Sequence, residues 1–207
     1  MAVTIVGNNT PTAGGVVYGD GTNYASTAAG TSGQVLQSNG AGAPTWATLS
    51  SGLTLGTPVA TTSGTSITFT GIPSGIKFFI VTFNTVRTNG ISGKQIQLGS
   101  SGTVETSGYF SGSSRINGAT SATLGGTSGI AILSDSAPDM LNGSVIFTLE
   151  NATTNTWVCS GTLGEASGTT YNVGGRKSLS AVLDRIRITS VNGTDTFNLG
   201  EVNIAYM

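Results

Sequence analysis

The sequence predicts an all-β fold: an antiparallel β-sandwich, jelly-roll-like, behind an extended Gly/Ser/Thr-rich N-terminal arm. Three observations carry the prediction. Gly makes up 32 of 207 residues and charged side chains only 8%, against ordinary usage near 7% and ~25% respectively. The apolar residues fall into short runs that alternate with polar ones, the pattern of half-buried strands. Between the runs stand Gly, Pro, Asn and Ser clusters, and no stretch gives a convincing helical repeat.

Composition also excludes several function classes. Low charge argues against ordinary disorder, which pairs low hydrophobicity with high net charge, and against an enzyme surface rich in Lys and Glu. A net charge of -1 offers no general attraction to nucleic acid or to an anionic membrane. Cys159 is the single cysteine, so no internal disulfide is available, and a buried small hydrophobe is the expected role. No apolar run reaches the ~20 residues of a spanning helix, so no membrane insertion is expected. The N-terminal Met-Ala-Val-Thr-Ile-Val-Gly lacks the basic and apolar regions of a secretory signal, so synthesis in a cytoplasm is expected.

Two segments are predicted, an arm over 1–50 and a β-sandwich domain over 51–207. Asp20 is the one charged residue before Lys77. The arm carries short apolar snippets at 3–6, 15–18, 34–37 and 45–49, separated by turn clusters such as Ser38-Asn39-Gly40. Each is too short to bury its own apolar face, and isolated two-stranded units are marginal in water. The arm therefore needs a partner: copies of itself, another protein, or both.

Strands are predicted at 57–61, 66–70, 76–86, 94–99, 129–133, 144–150, 156–163, 178–189 and 196–206. The most apolar stretch, 75–87, reads as a long central strand. In it Phe79, Val81 and Phe83 face one side, and Phe78 and Ile80 the other. Asn142-Gly143 and Asn192-Gly193 read as hairpin turns, since both residue types tolerate positive φ. The second would join Ile186 and Ile188 to Val202, Ile204 and Tyr206 as an antiparallel hairpin. Residues 100–114 and 124–128 are expected as longer loops, where binding surfaces usually lie.

The segment Ala29-Gly30-Thr31-Ser32-Gly33-Gln34-Val35-Leu36-Gln37-Ser38-Asn39-Gly40-Ala41-Gly42-Ala43-Pro44-Thr45-Trp46-Ala47 resembles a linker that recurs in tail-fibre and receptor-binding proteins of tailed bacterial viruses. The runs 67–75, 161–164, 183–188 and 193–197 are similar to a C-terminal domain of such fibres. The resemblance spans most of the chain from Ala29 to Tyr206, and its motifs are structural rather than catalytic. It implies a homotrimer, with residues 1–50 anchored to other virion tail or baseplate proteins and the C-terminal domain meeting a host cell-surface glycan or protein. Localisation in the virion tail follows from the same likeness. An adaptor, collar or head-mounted fibre with a purely structural role is the alternative.

The chain has no histidine, which removes the commonest general base, the usual nucleophile pairs and most zinc sites. A glycosidase needs only two carboxylates, but the acids are scattered, so glycan depolymerase activity is disfavoured and no catalytic residue, cofactor or metal is expected. Ser134-Asp135-Ser136-Ala137-Pro138-Asp139 lacks the Gly and distal Glu of a calcium loop and reads as a solvated turn. The glycine-flanked Lys94 and Arg176-Lys177 lack phosphate-loop spacing. Binding is expected from two loop groups, Tyr109, Phe110, Arg115 and Asn117 in one, and Tyr171, Asn172, Arg176 and Lys177 in the other. Aromatic faces beside Arg and Asn donors suit a sugar or a protein surface. Equally, Tyr109 and Tyr171 can simply cover the edge of the sandwich or the trimer seam. Trp46, Phe78 and Ile80 are the expected subunit contacts, because large apolar groups on an outer face need a cover.

Overall fold

A computed structural model describes residues 12–49, 52–134 and 139–207. The chain divides into two compact units, 1–52 and 53–207. In the described residues every regular element is a strand.

The first unit holds two hairpins, β1 (Val17–Gly19) with β2 (Tyr24–Ser26) and β3 (Gln34–Asn39) with β4 (Gly42–Thr48). Asp20 shapes the first turn, its Oδ1 accepting from the N–H groups of Thr22 (2.8 Å) and Asn23 (2.6 Å). Those bonds, Asn23 first, hold its carboxyl below the usual range. Trp46 lies flat over Gly30, where a Cβ would come within 2.6 Å of the indole, and its Nε1 donates to the Ala28 carbonyl at 2.8 Å. Trp46 is thus engaged inside its own unit. The snippet at 3–6 lies outside the described residues.

The second unit is an antiparallel β-sandwich. Its strands are β5 (Thr54–Leu55), β6 (Val59–Ala60), β7 (Ser66–Thr70), β8 (Phe78–Thr88), β9 (Lys94–Ser100), β10 (Thr103–Val104), β11 (Tyr109–Asn117), β12 (Thr120–Gly126), β13 (Ile130–Ile132), β14 (Leu141–Asn151), β15 (Thr156–Gly164), β16 (Thr170–Ser178), β17 (Leu183–Ser190) and β18 (Phe197–Tyr206). The larger sheet runs β12-β11-β16-β15-β14-β8-β18-β5, with β6 also on the β18 edge. The smaller runs β10-β9-β17-β7, with β13 also on β9. The predicted strand at 66–70 coincides with β7, and 76–86 becomes β8, shifted by two residues.

The core fills the space between the sheets. Phe79, Val81 and Phe83 are buried as the period-two pattern requires. Phe79 stacks on Phe147 at 4.4 Å between ring centroids and meets Trp157 at 5.1 Å with a tilted ring. Phe78 and Ile80 are half-buried on the other face, where Ile80 stands between Ala205 and Ile146 on the neighbouring strands.

Four expectations need correcting. First, residues 100–114 and 124–128 are mostly not loop. Tyr109 to Asn117 form β11, and Thr120 to Gly126 form β12. Tyr171, Asn172, Arg176 and Lys177 likewise lie on a strand, β16. Second, β17 and β18 do not pair. β17 sits between β9 and β7, while β18 pairs with β8. Their alternating Ile and Val residues face one core from opposite sheets, and Asn192-Gly193 turns the chain from one sheet to the other. Third, Asn142-Gly143 makes no hairpin turn. It lies inside β14 at a bulge, with Gly143 at φ +134° and the Asn142 Oδ1 accepting from Thr85 N–H at 2.8 Å. Fourth, the predicted strand 178–189 is two strands, the end of β16 and β17, separated by residues 179–182.

Candidate functional site

The two residue groups expected on separate loops are cross-strand neighbours. β11 pairs antiparallel with β16, which sets Tyr109 opposite Lys177, Phe110 opposite Arg176, Ser114 opposite Asn172 and Arg115 opposite Tyr171. Adjacent side chains along each strand point to opposite faces. Tyr109 and Lys177 therefore turn into the sandwich while Phe110 and Arg176 turn out.

The inward pair is a structural lock. Lys177 Nζ meets Glu105 Oε2 at 2.6 Å and lies 5.3 Å from the Tyr109 ring centroid. Glu105 Oε1 accepts from Ser180 N–H (2.8 Å), Ser180 Oγ (2.7 Å) and Ser100 Oγ (2.9 Å). Burial alone would raise the Glu105 carboxyl. Lys177, Ser180 and Ser100 outweigh it and bring it down to about 2. The Tyr109 hydroxyl accepts from Leu98 N–H (2.7 Å) and donates to the Glu105 carbonyl (3.0 Å). Burial pushes its pKa up, so it stays protonated. Tyr109 and Lys177 thereby tie the two sheets together and are closed to a partner.

The outward pair is open. Phe110 is 63% exposed, with the Arg176 guanidinium 4.4 Å over its ring. Two residues along, the face flattens where Gly112 stands between Gly125 and Gly174. A shallow trough of about 580 Å³ follows, bordered by Ser114, Thr123 and Asn172. Asn172 is exposed, and its Oδ1 accepts from Thr162 Oγ1 at 3.3 Å.

At the far end of the same strand pair lies a cleft of about 450 Å³. Arg115 and Asn117 from β11 line it, with Tyr171 from β16, Glu165, Ser167 and Thr169 from the β15–β16 turn, and Asp139 and Met140 before β14. The turn is fixed by its own bonds: Gly168 N–H to the Glu165 carbonyl and Glu165 N–H to the Thr169 carbonyl, both 3.1 Å. Ser167 Oγ donates to Glu165 Oε1 at 2.5 Å. Tyr171 is fully buried, with its hydroxyl within reach of the Asp139 carboxylate. Burial raises its pKa, and the nearby Asp139 and Glu165 carboxylates add to the rise. Lys94, at the start of β9, is also fully buried, its Nζ held by Ser134 Oγ at 2.5 Å. Burial lowers its pKa, against the opposing pull of Asp139, Asp195 and Glu165.

Glu105, Lys94 and Glu165 carry no motif, and only the pairing of distant strands brings them to these positions. Asp139 was visible as the end of the 134–139 run, whose residues 135–138 lie outside the described part. Among the described residues no group of three or more His, Cys, Asp or Glu side chains is placed to hold a metal ion. No family model, curated protein or solved structure matches the chain.

Proposed function

We propose that the chain is a structural and adhesive component of a tailed bacterial virus, a short trimeric tail fibre. Residues 1–50 attach it to other tail or baseplate proteins, and the sandwich meets a glycan or protein on the host surface. The observation that carries the binding half is the open Phe110–Arg176 stack, held rigidly on paired strands beside a flat trough. An exposed aromatic ring with a guanidinium over it offers a stacking face and hydrogen-bond donors without an ordering cost. The particle half rests on the likeness of 29–47 to tail-fibre linkers. It also rests on the nearly chargeless arm, whose exposed Val17, Tyr24 and Leu36 suit burial against partners. Three copies of a weak surface gain strength by multivalency. Recognition in this reading is without catalysis.

An adaptor or collar role without receptor contact is supported by a different observation. Ile146 and Val158 are exposed beside half-buried Phe78 and Ile80 on the outer sheet face, and such a patch suits a neighbouring subunit. Gold-labelled antibody on intact particles, with adsorption of particles carrying Phe110→Ala/Arg176→Ala, separates the readings. Label at the tail with adsorption reduced at least tenfold is expected for the fibre. Tail label with unchanged adsorption gives the adaptor, and absence of label from particles refutes both.

A further inference from the structure

The outer face around the Phe110–Arg176 stack is ordered in rows. Pairing of β15, β16, β11 and β12 aligns outward residues across the strands, and successive rows lie ~7 Å apart along them. Val158, Arg176 and Phe110 form the first row. Ser160, Gly174, Gly112 and Gly125 form the second, and Thr162, Asn172, Ser114 and Thr123 the third.

The fold does not require the glycines of the middle row. A Cβ at Gly112 would meet nothing within 4 Å, and at Gly174 and Gly125 only a carbonyl oxygen at 3.8 and 3.9 Å. None of the three has a positive φ. Their inward neighbours differ: at Gly175 and Gly126 a Cβ would come within 2.6 Å of the Phe110 carbonyl and the Ser111 hydroxyl respectively. Glycine weakens a strand interior, and its presence without an internal reason marks a close approach to the backbone from outside. Side by side on adjacent strands, the three make a shelf of bare backbone in the trough of about 580 Å³.

The flanking rows define the chemistry of what approaches. Arg176 is exposed, and its guanidinium has no hydrogen-bond or ion-pair partner among the described residues; the Phe110 ring at 4.4 Å holds it. No carboxylate stands among the outward residues of the four strands. The fork is therefore an uncompensated positive charge, shaped to take a carboxylate or a phosphate through paired N–H groups. The third row supplies three hydroxyls and an amide, which donate and accept as sugar hydroxyls do. Protein interfaces centre on large anchors seated in deep pockets, whereas a shallow shelf with a backbone floor suits a thin chain of rings. One exposed arginine on a chain of net charge -1 does not suit nucleic acid.

We propose that an acidic glycan lies across β15, β16, β11 and β12 on this shelf, its anionic group on Arg176 and its hydroxyls on the row from Thr162 to Thr123. The inference deepens the attachment reading and rests on it for the source of the glycan, the host surface. The test is calorimetry on the full chain, with polysialic acid and alginate oligomers as carboxylate probes and a phosphomannan as the phosphate probe. Dextran, mannan and polyglutamate complete the panel.

At least one acidic glycan is expected to bind, and the probe that does so identifies the anionic group as carboxylate or phosphate. Arg176→Gln should weaken that binding at least tenfold. Gly112→Thr should weaken it as much while its thermal unfolding matches or exceeds the parent's, which a glycine needed for folding would not allow. Failure of every acidic glycan to bind overturns the proposal, as does equal binding by dextran, mannan or polyglutamate. Binding unchanged in Arg176→Gln or in Gly112→Thr overturns it too, and so does a Gly112→Thr less stable than the parent. Failure of the attachment reading shows elsewhere, as absence from particles or as host adsorption that does not change when the protein is removed.

Discussion

Replacing Glu105 by Gln removes the charge at the centre of the lock between the sheets. In the native protein Glu105 is reached by Lys177, Ser100 and Ser180, and its side chain is 19% exposed beside a Lys177 that is 7% exposed. Its carboxyl falls from an ordinary 4.5 to about 2, which converts at ~1.4 kcal/mol per pH unit to about 3 kcal/mol. Because the folded pKa is the lower one, this stability is fully present above about pH 4.5 and is lost as pH falls towards 2. Glu105→Gln also leaves the Lys177 ammonium buried without its counter-charge, a loss of about 3–5 kcal/mol for a buried pair. Urea unfolding at pH 7 is expected to show that loss, and a pH series from 6 to 2 should show the variant with a flatter acid limb than the parent. A variant within ~1 kcal/mol of the parent at pH 7, or with an equally steep acid limb, would refute the lock.

Other expectations follow from single contacts. Phe79→Ala empties the stack on Phe147 and Trp157 and should cost about 3–5 kcal/mol in equilibrium unfolding. Gly143→Ala forces a side chain onto φ +134° with its Cβ 2.6 Å from the Thr162 carbonyl. A loss of about 2–4 kcal/mol is expected by the same measurement, and a neutral outcome would mean that the bulge relaxes. Burial pushes the Cys159 thiol up to about 12. A disulfide reagent at pH 8 should therefore label the native protein at least a hundredfold more slowly than the urea-unfolded chain, and equal rates would contradict the burial.

The core strands were legible because Phe79, Val81, Phe83 and Phe69 are large, apolar and spaced by two. β11 was not legible, for a specific reason. Its inward residues are Tyr109, Ser111, Ser113 and Arg115, so the alternation sets hydroxyls against glycine instead of apolar against polar. Those serines have inward work: Ser111 Oγ and Ser113 Oγ accept from the N–H groups of Ala131 and Leu133 at 3.0 and 2.9 Å, joining β11 to the β13 segment of the other sheet. Partner choice was hidden too. Ile186, Ile188, Val202 and Ile204 show the half-buried pattern correctly, but the pattern is the same whether two strands adjoin or face each other across a core. The candidate contacts were identified as residue types and assigned to separate loops. What brings Phe110 to Arg176 and Arg115 to Tyr171 is one antiparallel register, a long-range fact with no local signal.

The order of pairing in the second unit also has a consequence for how the chain becomes folded. β5 and β6 bond only to β18, and β7 bonds only to β17; the Thr61 hydroxyl reaches the Leu199 carbonyl, 138 residues on. During synthesis β7 has no sheet partner until Leu183–Ser190 has been made, and β5 and β6 have none until the last segment, Phe197–Tyr206. Closing such long loops makes the unit a slow, late folder, one that assembles after release rather than strand by strand. Until β18 arrives, β8 is a bare edge strand of eleven residues whose first half is apolar, and such edges pair with other chains. A chain shortened before Phe197 should therefore accumulate as aggregate rather than as a smaller sandwich.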